Sequence, residues 1–422
     1  MSPPETGAAN PRFPLFDSLR ALAALSVFAV HLPFAYRMAP GNPLRPYLLN
    51  LNVGVAVFFL ISGFLLYRPF ARARLGGARS PALRPYAVRR LLRIVPAYWV
   101  ALPCVVLLLG SSGEGQTATR VFSAHGVPAY FGFAQVYDSH TLLGGISAAW
   151  SLCVELSFYA LLPLWALLML RLPCRSVRGF VRSELLGLAV LFSIGAIWTS
   201  VAALHNDFSP ASFVDPTRVK PWLYLLPSYL DHFAVGMALA VASVAVAERA
   251  TPLRAVRVID RAPWLPWLGA VLAYVAIAHL EAWLPHAPGE RYALTHELQA
   301  VVALGLLLPA VFGDPTRGVL RRLLSNRILL WVGLVSYALY LWHAAIILKL
   351  SNLGALEKLG SVGFTVTALA LSLLVAAASF YAVERPALRL GRRLSGARSS
   401  EHADVRAREL ARHERPLRPA ER

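Results

Sequence analysis

Between Leu15 and Tyr36 the chain reads LFDSLRALAALSVFAVHLPFAY, an apolar segment interrupted by Arg20 and His31. About 20 mostly apolar residues are enough for a helix to cross a bilayer, and this stretch is long enough. An arginine at the centre of such a helix costs roughly 2.5–3.5 kcal/mol on insertion scales, so an ionisable residue there is a functional suspect by default. Arg20 and His31 are eleven positions apart. On a helix that is three turns plus about 20°, a rise of about 16 Å. Both side chains therefore point the same way at different depths, an arrangement suited to a reaction.

The rest of the chain repeats the apolar theme. It has 422 residues, 57% of them hydrophobic, with a mean hydropathy of +0.55. Ten apolar runs of spanning length occur, at about 15–36, 51–67, 94–110, 148–170, 184–204, 222–247, 264–284, 296–312, 328–349 and 361–383. The expected fold is all-α: a polytopic bundle of about ten transmembrane helices in the cytoplasmic (plasma) membrane. The net charge of +19 suggests nucleic acid, but its distribution argues otherwise. If the spans alternate from a cytoplasmic N-terminus, 33 Lys and Arg fall inside and 8 outside. Positive residues in short loops set orientation, so both termini are expected to be cytoplasmic, and nucleic-acid binding is not needed to explain the charge. The first fourteen residues lack a basic n-region and a cleavage site, so the first span is expected to be retained. Cys104, Cys153 and Cys174 have no C-x-x-C spacing and read as small buried hydrophobes.

Three parts are expected: a cytoplasmic segment 1–14, a transmembrane domain 15–384, and a basic tail 385–422 with almost no apolar periodicity, read as disordered. The 68–93 loop carries Arg68, Arg72, Arg74, Arg79 and Arg84, which suit an anchor to anionic lipid. Arg89, Arg90 and Arg93 follow at the entrance of the third span, where helical spacing groups them. Guanidinium groups on one face suit a polyanion such as a phosphate ester, and they serve equally as a lipid anchor. Ser62 and Gly63 read as a close-packing site of the second span against the first. Glu155, one turn or so inside the fourth span, is placed at the depth of His31, where a carboxylate can orient an imidazole; pairing with an arginine is the structural alternative. Ser151 lies one turn from Glu155 as a hydrogen-bonding neighbour. Asp231 and His232 are adjacent and so diverge on their helix, with a place on a substrate path as their functional reading. His343 reads as a packed, hydrogen-bonded histidine, and Glu384 with Arg385 as a cap or ion pair. His125, His140, His205, His279, His286 and His296 are scattered without ligand spacing, and no metal is expected.

Taken in order, LFDSLRALAALSVFAVH, GVAVFFLISGFLL, RRLLRIVPAYW, WSLCVELSFY, SYALYLWH and YAVERP resemble the successive blocks of the acyltransferase-3 family of integral membrane O-acyltransferases. Single blocks are weak, but the ordered set is specific and covers nearly all ten spans. The resemblance implies a ten-helix bundle that moves an acyl group, commonly acetyl, from cytoplasmic acyl-CoA to a hydroxyl of a carbohydrate, glycolipid or related acceptor. By the same resemblance His31, Arg20, Arg90 and Arg93 are the essential residues, with the chain as a stand-alone form lacking an appended hydrolase-like domain. Ser18 stands where the family often has glycine, a departure expected to leave the chemistry alone.

The chemistry of these residues is consistent with that assignment. Arg90 and Arg93 suit the CoA phosphates, Arg20 the pantetheine arm or a thioester oxyanion, and His31 the acceptor's proton. Glu155 completes the expected catalytic set, and acyl-CoA is a donor substrate rather than a resident cofactor. Surface polysaccharide, lipid-linked sugar, peptidoglycan sugar and a small metabolite are all compatible acceptors. Two other readings compete. One is a transporter or flippase in which Arg20, His31 and Glu155 form a proton or anion path, although broken spans in matching halves are missing. The other is a membrane scaffold acting through its basic tail.

Overall fold

The apolar runs fold as helices because a backbone in hydrocarbon must satisfy every N–H and C=O internally. The computed structural model describes residues 13–76, 80–109, 118–172, 176–209, 218–247, 254–314 and 318–395, and no strand occurs among them. The principal helices are α1 (Leu15–Val30), α2 (Val53–Gly76), α3 (Leu83–Leu107), α4 (Trp150–Leu170), α5 (Val177–Leu204), α6 (Leu230–Ala247), α7 (Trp264–Trp283), α8 (Pro288–Val311), α9 (Arg327–Leu334), α10 (Ser336–Asn352), α11 (Ala355–Ser379) and α12 (Arg385–Leu394). Among the described residues nine helical stretches are long and apolar enough to cross a membrane, and the bent pair α9 and α10 brings the number to ten if it forms one span. The protein is a multi-pass, all-α membrane protein. The ninth run is not straight: α9 and α10 meet at 74°. The break falls at Val335, whose backbone is non-helical (φ −91°, ψ 5°).

α2 lies at the centre, packed against α6, α1, α8 and α4. Gly63 is the reason α2 and α6 come so close. A Cβ there would sit 2.5 Å from the carbonyl oxygen of Phe233, and one on Gly236 of α6 would strike the carbonyl of Leu60. Small residues at a crossing let two membrane helices approach to backbone contact. Gly63 was expected to face the first span; it faces α6, and α1 is met elsewhere on α2. The outer helices present Leu186, Ile197, Leu272, Val362 and Val366 outwards, the apolar surface that lipid covers.

Two further expectations change. The boundary at Glu384 is not a structural break. A π-helical turn over Phe380–Glu384 leads directly into α12, which packs against α3. Arg385–Leu394, expected within the tail, is helical, while residues 396–422 lie outside the described residues, as do 1–12, Arg79 and Cys174. Arg74 is not a lipid anchor: its Nη1 pairs with Glu184 at 2.5 Å, and Tyr67 donates to the same carboxylate. Arg68 donates to Ser243 and lies over the Phe13 ring. Cys104 and Cys153 are free thiols.

Candidate active site

α1 presents Arg20 from its second turn. Asp17, one turn earlier, accepts from Arg20 Nη1 at 2.7 Å and holds the guanidinium in place. Ser18, on the same turn, is fully buried and donates to the carbonyl of Leu324, so its departure from the family pattern serves packing. At the other end of α1, Pro33 has no N–H to continue the helical ladder. The backbone tightens there, the N–H of His31 bonding to Phe28 O at 3.3 Å, and His31 becomes the residue that ends α1.

Arg20 faces a cavity of about 740 Å³, counting its open mouth. Arg90 and Arg93 from α3, Glu155 and Tyr159 from α4, and Tyr337 and Tyr340 from α10 share its lining. Arg89, exposed on another face of α3, does not. Four of the residues singled out from sequence (Arg20, Arg90, Arg93 and Glu155) therefore surround one space. Three guanidinium groups and one carboxylate line it, and Asp17 pairs with Arg20 from outside the lining, which leaves Arg90 and Arg93 with Glu155. Arg90 Nε is buried with no hydrogen-bond partner among the described residues. Glu155 is already engaged: its Oε1 accepts from Ser62 Oγ and from Tyr159 OH, each at 2.7 Å.

His31 does not line this cavity, and Glu155 is not its partner. His31 pairs instead with His343 of α10, Nδ1 to Nε2 at 3.3 Å, with ring centroids 4.8 Å apart. His31 Nδ1 also lies 2.8 Å from the carbonyl oxygen of Val27, and His343 Nδ1 lies 3.0 Å from that of Leu339. A carbonyl only accepts, so both Nδ1 atoms carry hydrogen in the neutral rings. His343 Nε2 is then a lone pair that meets the His31 Nδ1–H. His31 Nε2 is left unprotonated, the form required of a general base.

Tyr340 connects the two parts. It lines the cavity, its ring centroid is 5.9 Å from that of His343, and its hydroxyl is 2.7 Å from Ser151 Oγ and donates to Ala148 O at 2.9 Å. Ser151 thus serves Tyr340 rather than Glu155. His343 is fully buried and hydrogen-bonded as expected, but its contact with His31 went unread. The signal was in SYALYLWH, where Tyr337, Tyr340 and His343 recur every three residues and so line one side of α10. Glu384 is buried, with Oε1 unpartnered among the described residues, and its carboxylate feels the charge of Arg93.

The sequence profile of the family described as "Acyltransferase domain" matches residues 14–382. Peptidoglycan O-acetyltransferase OatA of Listeria monocytogenes is 25% identical over 345 residues, covering 79% of this chain and 49% of that protein. Putative peptidoglycan O-acetyltransferase YrhL of Bacillus subtilis is 26% identical over 384 residues, 88% of this chain and 54% of that protein. A putative O-acetyltransferase of Staphylococcus aureus (strain COL) is 25% identical over 342 residues, 79% and 50%. The chain spans about half the length of these curated relatives. No solved structure matches it. The family match begins at the head of α1, ends inside the π-helical turn before α12, and takes in every helix that lines the cavity, so this chain belongs to the acyltransferase-3 family of membrane acyltransferases.

Proposed function

We propose that the protein is an O-acyltransferase of the cytoplasmic membrane that moves an acyl group, acetyl by analogy with its relatives, from acyl-CoA to a hydroxyl of a glycan, glycolipid or related acceptor. The observation that carries this reading is the charge of the cavity: Arg90 and Arg93 face one space with Arg20, Asp17 offsets only Arg20, and the single lining carboxylate, Glu155, accepts from two hydroxyls. Excess positive charge inside a membrane bundle is costly when unpaired. A ligand with phosphate groups offsets it, and guanidinium binds phosphate bidentately.

In this reading Arg90 and Arg93 hold the CoA phosphates, and Arg20 faces the pantetheine arm and the thioester oxygen. The arm runs past Tyr340 towards His31, about 16 Å along the axis from Arg20. His31 Nε2 takes the proton of the acceptor hydroxyl as its oxygen attacks the thioester carbonyl. The oxyanion that forms collapses, the C–S bond breaks, and CoA leaves as the thiolate while the ester remains on the acceptor. His343 Nε2 accepts from His31 Nδ1–H and holds that ring in place, and Glu155 orders Ser62 and Tyr159 around the donor. The apolar bundle keeps water from the thioester. The termini and the basic loops lie in the cytoplasm, where acyl-CoA is found, and the 33-to-8 distribution of Lys and Arg supports that orientation.

The test is transfer from labelled acetyl-CoA in membranes that contain wild type or His31→Ala, with mass analysis of lipids, glycans and small metabolites. A mass gain on one compound that depends on His31 supports the assignment and identifies the acceptor. Label transfer retained in a folded His31→Ala protein removes the base, and no transfer to any compound by folded wild type removes the donor.

A further inference from the structure

Asp231 and His232 are neighbours on α6, and His296 comes from α8, 64 positions further along the chain. Adjacent positions on a helix diverge, so nothing in the sequence joins these three. The fold does. The Asp231 carboxylate turns back over the helix start, where Oδ1 accepts the backbone N–H of His232 at 2.6 Å. His232 Nδ1 then stands 3.2 Å from Oδ1, and His296 Nε2 stands 2.9 Å from Oδ2. The two imidazole centroids are 4.1 Å apart. All three residues are at most 4% exposed, and one ligand atom from each lies within 4.8 Å of the others.

Hydrogen bonding leaves this cluster incomplete. Neither ring nitrogen of His232 has a partner of adequate geometry among the described residues, and a buried polar atom in that state calls for a specific explanation. Glu297, next to His296, feels the charge of Asp231. Among the described residues no Lys or Arg forms an ion pair with either carboxylate, and the Asp231 carboxylate has only the two imidazoles as ion-pair partners. A cation in this cluster removes both difficulties.

We propose that Asp231, His232 and His296 bind a divalent transition-metal ion of the zinc class, with Glu297 balancing its charge. Two imidazole nitrogens and one carboxylate oxygen form a ligand set that zinc accepts at about 2.0–2.2 Å, and that calcium and magnesium, which take oxygen ligands, do not select. Small rotations of the two rings bring the three atoms to such distances. Two carboxylates, two neutral imidazoles and one divalent ion sum to zero charge, which a low-dielectric surrounding tolerates. The ion ties α6 to α8 behind the cavity wall. Tyr229 lies between, its ring 5.4 Å from His296 and 5.0 Å from Phe59, which lines the cavity. The site is a clamp that holds this wall in place.

The test is metal analysis of the full chain, purified in detergent without chelator and without a histidine tag. Wild type retains about one transition-metal ion per chain through dialysis, Asp231→Asn and His296→Ala lose it, and His205→Ala, at an exposed histidine outside the cluster, keeps it. Because a variant may fail to fold, the wild type carries a second readout: chelator lowers its thermal midpoint, and added zinc restores it. Folded wild type that holds no metal and whose midpoint moves with neither chelator nor zinc overturns the proposal. So does metal that stays bound in folded Asp231→Asn and His296→Ala.

Discussion

At the residue scale, the pair of histidines supplies what Arg20 and His31 lacked when read alone. The carbonyls of Val27 and Leu339 set both tautomers, and the contact of His343 Nε2 with His31 Nδ1 makes His343 a candidate positioning residue for His31. His31→Ala should lower acyl transfer by about 10²–10⁴-fold, the range for loss of a general base, with the folded fraction unchanged by size-exclusion profile. His343→Ala should lower kcat by about 10–100-fold through misplacement of His31 and leave the KM for acyl-CoA unchanged. His343→Gln, whose amide oxygen again accepts from His31 Nδ1, should recover part of that loss; recovery no better than in His343→Ala would show His343 to be packing alone. Arg90 and Arg93 are read differently. Hydrogen bonds to charged groups contribute about 1.5–3 kcal/mol, so Arg90→Ala or Arg93→Ala should weaken acyl-CoA binding by about 10–150-fold. Unaltered affinity in equilibrium binding would separate the cluster from the donor. Arg20, Arg90 and Arg93 were legible in the sequence because charge in an apolar segment is conspicuous. The meeting of His343 with His31 was not, since the spacing in SYALYLWH puts Tyr340 and His343 on one side of α10 without saying which helix that side meets.

At the scale of elements, apolar runs predict helices well but not which helices touch. α2 shows why. Its backbone approaches α6 at Gly63 and Gly236, and only the packed structure reveals that partner. Gly63→Leu places a side chain against the Phe233 carbonyl and should lower the thermal midpoint in detergent, in line with about 1–3 kcal/mol for overpacking. Gly269→Ala, where an added Cβ meets nothing within 4 Å, should leave the midpoint unchanged or slightly raised. Equal midpoints for the two variants would remove the close crossing as a determinant of stability. The bend between α9 and α10 and the π-helical turn before α12 escaped the sequence for a related reason. Hydropathy averages over a window and passes across a break of one residue, so 328–349 and 361–383 looked like ordinary spans.

At the scale of the whole molecule, the proposed orientation rests on loop charge. In a background with Cys104, Cys153 and Cys174 replaced by Ala, a cysteine in place of Arg84 should be labelled by an impermeant reagent only after the cells are opened. One in place of His205 should be labelled in intact cells, and the reverse pattern would place the arginine-lined cavity's basic loops outside. The sequence by itself determined the class of the protein, the approximate spans, the family blocks and which charged residues stand in apolar segments. Each of these is a local property of composition or of spacing along one helix. Only the tertiary structure decided that Arg20, Arg90, Arg93 and Glu155 share a cavity, that His31 pairs with His343 rather than Glu155, and that Asp231, His232 and His296 meet. Those contacts join residues up to 312 positions apart. They are set by how closely helices cross and rotate against one another, which depends on packing between elements and leaves no periodic trace in any single one.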